Sequence, residues 1–216
     1  AELAIKVINE ELGGLNGIKF SFEMIDDKCT EVDAKNGFNT LYEKGMQASI
    51  GSVTSGACAS FAAEAFTNNV FLLTPSASNE SVITEDNAFR VCFGDDQQGV
   101  LAAETLGEKY SNIGAIYDSS DTYSSDLFKA FKKKLGEMGK TFKEQSFTSD
   151  TAKDFSTQVE ALKDCDVIFL PIYYQAASLI IKTCASKGCA ADIFGCDGFD
   201  GIDKMFSESD TLSNSV

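Results

Sequence analysis

Residues 48–78, ASIGSVTSGACASFAAEAFTNNVFLLTPSAS, decide the fold. An apolar run, Ala48 to Val53, reads as a strand and leads into a helix of small residues over 55–68. A second strand, Val70 to Thr74, then ends in Thr74-Pro-Ser-Ala-Ser78. Strand, helix and strand within thirty residues is the parallel crossover unit. Both strand ends carry hydroxyls, and the first opens directly into a helix N-terminus. There, backbone N–H groups without intrahelical partners form a ready acceptor for a carboxylate. Two such places on neighbouring strands suit capture of one small anion.

Outward from this unit the alternation continues. An amphipathic helix over residues 1–12, with Leu3, Ala4, Val7 and Ile8 as its stripe, stops at Gly13-Gly14. Ile18 to Ile25 alternates as a strand, and 30–44 reads as a helix with Ala34, Phe38 and Leu41 inward. After the short apolar run Phe89 to Phe93 comes a helix over 97–110. Strands at 113–117, 141–147, 167–172 and 192–195 follow, separated by helices at 122–138, 154–162 and 175–186. The runs 113–117 and 167–172 are almost uniformly apolar, as parallel strands covered on both faces must be. The reading is α/β, with two doubly wound parallel-sheet lobes, 1–96 and 97–216, and a ligand cleft between them.

In such sheets ligands bind beyond the carboxyl ends of the strands. Those ends hold Ser52 to Ser55, Ser76 to Ser78, Asp118 to Tyr123, Tyr173-Tyr174 and Asp197. Hydroxyls, aromatics and acids, Asp197 among them, therefore gather at the predicted cleft. Ser119, Ser120, Asp121 and Thr122 also suit turn and capping roles, and Ser52, Thr54 and Ser55 suit N-capping.

Composition narrows the function. A formal charge of −15 argues against nucleic acid and anionic membrane surfaces as partners. The chain has no histidine, which removes His-based triads, bases and metal sites. No phosphate-loop, dinucleotide-binding or nucleophile-elbow motif stands at a strand-to-helix junction. The expectation is a binding protein without cofactor or metal, not an enzyme. Seven cysteines include no C-x-x-C pair. The spacing allows a Cys29–Cys58 disulfide, with buried reduced thiols as the alternative. No run of eighteen apolar residues occurs.

Seven segments, IGSVTSG, LLTPSAS, FRVCFGDDQQG, YDSSDTYSSD, DFSTQVEALK, FLPIYYQAA and FGCDG, resemble the branched-chain amino-acid-binding proteins, in that family's order. These are receptors of the type I periplasmic-binding fold that deliver ligand to ABC importers. The resemblance implies an extracytoplasmic protein, periplasmic or a cell-surface lipoprotein, that binds an amino acid (Leu, Ile, Val or another apolar one) and partners a membrane permease. It implies that Ser55, Ser76 and Ser78 hold the ligand carboxylate, the last two also meeting the ammonium. Tyr123 and Tyr173 would line the site, and Asp197 would pair with the ammonium, where the family often has the longer Glu. Relative to that pattern the first strand and the C-terminal part are missing, so the chain reads as a fragment. The same fold binding an amide, an aromatic acid or a polar amino acid, or serving as the sensing domain of a receptor or regulator, is the alternative.

Overall fold

The computed structural model describes residues 1–207. These divide into two compact units, Ala1–Cys92 and the remainder from Phe93. In the first, helices α1 (Glu2–Glu10) and α2 (Glu31–Glu43) precede strand β1 (Ala48–Ile50). Helix α3 (Ser55–Thr67) and strands β2 (Phe71–Thr74) and β3 (Ala88–Arg90) follow. The sheet order is β1-β2-β3, all parallel, with Ser49 opposite Leu72 and Leu73 opposite Phe89.

Helix α2 begins because Thr30 caps it: its Oγ1 accepts the Asp33 N–H at 3.0 Å and donates to the Asp33 carboxylate at 2.9 Å. Its buried face, Ala34 and Phe38, packs on Phe61 and Cys58 of α3, with the Phe38 and Phe61 rings edge to face at 5.0 Å. Leu72 of β2 and Val82 complete this core.

Two expectations for this unit change. Ile18 to Ile25 forms no strand, because a ladder needs a neighbour and, among the described residues, the segment pairs only through an isolated bridge from Ile18 to Leu15. At Phe20 the side chain of Asn9 substitutes, accepting the Phe20 N–H at 2.8 Å and donating to the Phe20 carbonyl at 2.7 Å. The stripe of α1 likewise buries no residue, and Leu3 is 74% exposed.

The second unit runs through α4 (Asp95–Lys109), β4 (Ile113–Asp118), α5 (Thr122–Glu137) and β5 (Phe142–Phe147). It continues with α6 (Ser156–Leu162), β6 (Val167–Phe169), α7 (Tyr174–Lys187) and β7 (Asp192–Phe194). The order β5-β4-β6-β7, all parallel, places helices on both faces. The two-residue period of a strand is visible in β6. Ile168 joins the core beneath α6 and α7 with Phe155, Val159 and Ile180, whereas Val167 and Phe169 join Leu106, Leu127 and Phe131 beneath α4 and α5. Both faces are covered, so the run is apolar throughout.

Helices α4 and α5 meet closely at Gly99. A Cβ there would stand 2.6 Å from the Leu127 carbonyl oxygen and 2.7 Å from the Ala130 Cβ. Helix propensity alone favours alanine by about 1 kcal/mol, but contact with backbone atoms cannot be relieved by a rotamer change. Gly99→Ala is therefore expected to lower stability by about 1–3 kcal/mol, the range for overpacking, as read by urea unfolding of the full gene product.

Candidate functional site

Each unit carries its own constellation at the carboxyl ends of its strands. In the first, β1 gives way to α3 at Thr54, whose side chain makes no capping bond. The N–H groups of Ser55, Gly56 and Ala57 precede the first intrahelical bond, Cys58 N–H to the Thr54 carbonyl at 2.9 Å, and no described residue accepts from them. The Thr54 hydroxyl is buried and also without a partner. Ser55 is fully buried, and its Oγ accepts the Asn79 N–H at 3.3 Å, which ties the loop after β2 to the start of α3. Ser76 is half-buried and Ser78 buried, both on that loop. Thr74 braces it, donating to the Ser52 carbonyl at 2.9 Å and accepting the Ala77 N–H at 3.1 Å.

Arg90, the only arginine of the chain, reaches the same loop from β3. Its guanidinium donates to the Ser78 carbonyl at 2.6 Å and to Glu80 at 2.5 Å. Sequence reading missed it. A lone arginine in a strand among 33 acidic residues is the signal that was there to find.

In the second unit Tyr123, Tyr173 and Asp197 come together. Asp121 caps α5, accepting the Ser124 N–H at 2.8 Å, and thereby points Tyr123 inward, where its side chain is buried. Its ring stacks on Tyr173, the residue preceding α7, with centroids 4.7 Å apart. The Tyr123 hydroxyl donates to Asp197 Oδ1 at 2.5 Å, accepts the Gly198 N–H at 3.0 Å and lies 2.9 Å from the Cys196 sulfur. Gly198 permits this approach, since a Cβ there would meet the Ile172 carbonyl oxygen at 2.8 Å and the tyrosine oxygen at 2.9 Å. Burial, with Cys196 and Asp197 adjacent, pushes the Tyr123 phenol far above its ordinary range. Burial also pushes the Cys196 thiol up to about 12. Both groups keep their protons at neutral pH.

Gln98 on the second turn of α4 completes the cluster and was missed in the sequence. Its amide donates to Asp197 Oδ1 at 2.8 Å, and its carbonyl accepts the Asp197 N–H at 2.9 Å. Beside Tyr173 a cavity of about 220 Å³ is lined by Asp118, Asp121, Ser149, Ile172 and Gln175 among others. Asp118 ties its own loop to the one after β5, accepting from Ser120 N–H and O–H and from the Ser149 hydroxyl at 2.7 Å.

The Cys29–Cys58 disulfide is not formed, and no cysteine among the described residues is in a disulfide. Cys29 sits exposed in a tight turn at φ +58°, its N–H held by the Asp27 carboxylate. Cys58 points from α3 into the core, its thiol bonded to the Thr74 side chain and the Ser52 backbone. Burial raises that thiol to about 11.

Parallel α/β units with polar residues gathered at the carboxyl ends of their strands place the chain among the doubly wound α/β proteins. Over residues 1–205 the chain matches the model of the periplasmic binding protein family, and it belongs to that family. It is 29% identical over 204 residues to Leu/Ile/Val-binding protein homolog 1 of Brucella suis, covering 92% of this chain and 54% of that protein. To Leu/Ile/Val-binding protein BraC3 of Rhizobium johnstonii it is 27% identical over 221 residues, covering 100% and 60%. Among solved structures, the branched-chain amino acid transporter substrate binding protein LivJ from Streptococcus pneumoniae, in complex with isoleucine, is similar at TM-score 0.83 and 28% identity, covering 92% of this chain and 58% of that one. The leucine binding protein LivK from Thermotoga maritima is similar at TM-score 0.82 and 26% identity, covering 90% and 57%. A benzoate complex of a solute binding protein from R. palustris shares the fold at 19% identity and TM-score 0.79, covering 94% and 58%. The chain thus has the type I periplasmic-binding fold and spans little more than half the length of the curated relatives it matches.

The thiols give a direct check. Cys29 is expected to react with a thiol reagent at pH 8 in the native protein. Cys58 and Cys184, whose thiols burial raises to about 11 and about 12, react only after unfolding. Peptide mass mapping distinguishes them, and a bridged Cys29 would resist labelling until reduced.

Proposed function

We propose that this chain is part of an extracytoplasmic solute-binding protein of an ABC importer, capturing an amino acid with an apolar side chain and delivering it to a membrane permease. Residues 1–96 and 97–216 act as its two lobes, each supplying one half of the recognition chemistry. The observation that carries the reading is the opposite polarity of the two constellations. At the start of α3, three backbone N–H groups and the Thr54 hydroxyl stand without partners, which suits a carboxylate. In the second unit a carboxylate, Asp197, is backed by Tyr123 and Tyr173, which suits an ammonium beside an apolar body. A zwitterion needs both ends satisfied, and charge-assisted hydrogen bonds are about twice as strong as neutral ones.

Binding rather than turnover fits the protonation states. Thiolates, not thiols, attack, and the Cys196 thiol is pushed away from ionisation. The relatives named for Leu, Ile and Val support an apolar amino acid as the solute. In this reading Ser55, Ser76 and Ser78 serve the carboxylate, Tyr123 and Tyr173 line the side chain, and Asp197 holds the ammonium.

The test is a thermal-shift screen of the full gene product against the twenty amino acids, simple amides and aromatic acids. Ligand at a hundredfold over its Kd adds about 2.7 kcal/mol, so leucine, isoleucine or valine should raise the melting temperature. A response to benzoate or an amide instead would reassign the solute, and no response at all would favour a sensing role. By calorimetry, Ser55→Ala, Ser78→Ala and Asp197→Ala are each expected to weaken amino-acid binding by about 2–5 kcal/mol, the cost of leaving a desolvated charge unpaired. Wild-type affinity in all three would overturn the site.

A further inference from the structure

The hydrogen bonds around Asp197 are arranged asymmetrically. Oδ1 receives two donors, the Tyr123 hydroxyl at 2.5 Å and the Gln98 amide at 2.8 Å. Oδ2 accepts from no described residue. The residue is exposed, so that second oxygen faces solvent while its neighbour is locked. Gln98 also accepts the Asp197 N–H at 2.9 Å, so one amide grips both the backbone and the carboxylate of the same residue across 99 positions of sequence.

We propose that Gln98 is a positioning residue for solute recognition, fixing the Asp197 carboxylate so that Oδ2 is presented to the primary ammonium of the ligand. This rests on the amino-acid reading of the site. Free rotation of Asp197 about its terminal bond would let either oxygen drift toward water. Two donors on one oxygen remove that freedom before ligand arrives, which lowers the ordering cost of binding. The role requires a side chain with one donor and one acceptor in a single plane, and glutamine is the residue of that length that supplies both at neutral charge. A glutamate would accept the N–H equally well but would face Asp197 Oδ1 with a second carboxylate. A lysine would donate but would neutralise the charge meant for the ligand. The titratable groups beside Asp197 are Tyr123 and Cys196, and both hold their protons through the range used below. Asp95 and Asp96 are the acids in the first turn of the same helix.

Three forms of the full gene product, wild type, Gln98→Glu and Gln98→Met, test this by calorimetric titration with L-leucine from pH 5 to 8. Gln98→Glu is expected to bind about tenfold to hundredfold more weakly at pH 8, the loss for a hydrogen bond to a charged group. Two carboxylates in contact retain a proton above the usual carboxylate range. At pH 5 a protonated glutamic acid again offers one donor and one acceptor, so affinity should recover toward wild type. Gln98→Met keeps the length, loses both bonds, and should bind weakly at every pH. A merely structural role would lower affinity in both variants without acid recovery. Wild-type leucine binding with Gln98→Glu within twofold of it at pH 8, or weakened without recovery at pH 5, overturns the positioning role and leaves the receptor reading intact. A wild type that binds neither leucine nor any other amino acid overturns both.

Discussion

Parallel pairing of β4 with β6 is the constraint on which the second unit depends. The two strands are separated in sequence by α5, β5 and α6, yet Ala115 lies opposite Phe169. The chain leaves β4 to one side, adds β5, and must cross back to add β6. At that reversal the loops after the two strands diverge to opposite faces and leave a crevice between them. Tyr123 follows β4 and Tyr173 follows β6, and their stacking is a consequence of the reversal. Asp197 follows β7, the next strand out, and Gln98 enters from α4, which covers the face nearest β4. The first unit achieves a similar convergence by a simpler route. Its order β1-β2-β3 is sequential, and the ends of β1 and β2 are joined directly by Asn79 on Ser55 and Thr74 on Ser52.

Much of this was legible in the sequence because strand periodicity and strand ends are local properties. The uniform apolarity of 167–172 demanded cover on both faces, and Ile168 and Phe169 do face different cores. The strand ends alone gathered Asp118 to Tyr123, Tyr173-Tyr174 and Asp197, and the family resemblance singled out Tyr123, Tyr173 and Asp197 among them. What sequence did not disclose depends on distant partners. Gln98 is an unremarkable polar residue near a helix start, and only the approach of Asp197 gives it a role. Arg90 reads as a strand-end charge until its bond to the Ser78 carbonyl is seen. Ile18 to Ile25 alternates as a strand should, but alternation describes side chains, and a strand exists only where another backbone completes its bonds. Cys29 and Cys58 have a permissive spacing, but one thiol faces solvent and the other the core, and spacing carries no direction.

Burying a tyrosine hydroxyl beside a thiol and a partly solvated aspartate is costly unless the buried polar atoms are matched. The cluster meets that condition by a directional chain. The Gly198 N–H donates to the tyrosine oxygen, the tyrosine donates to Asp197 Oδ1, and the Cys196 thiol lies within reach of both the tyrosine oxygen and the Leu170 carbonyl at 3.5 Å. Raised proton affinities of Tyr123 and Cys196 preserve this direction, because ionising either would place a second anion against the aspartate. The chain of donors ends on one carboxylate oxygen, and the charge it leaves over is concentrated on the other. That remaining oxygen costs little while water reaches it. Its attraction for a cation grows as water is excluded, since the same charge acts through a lower dielectric. In the proposed reading, an ammonium at Asp197 would be held most strongly once ligand had displaced the solvent around that carboxylate.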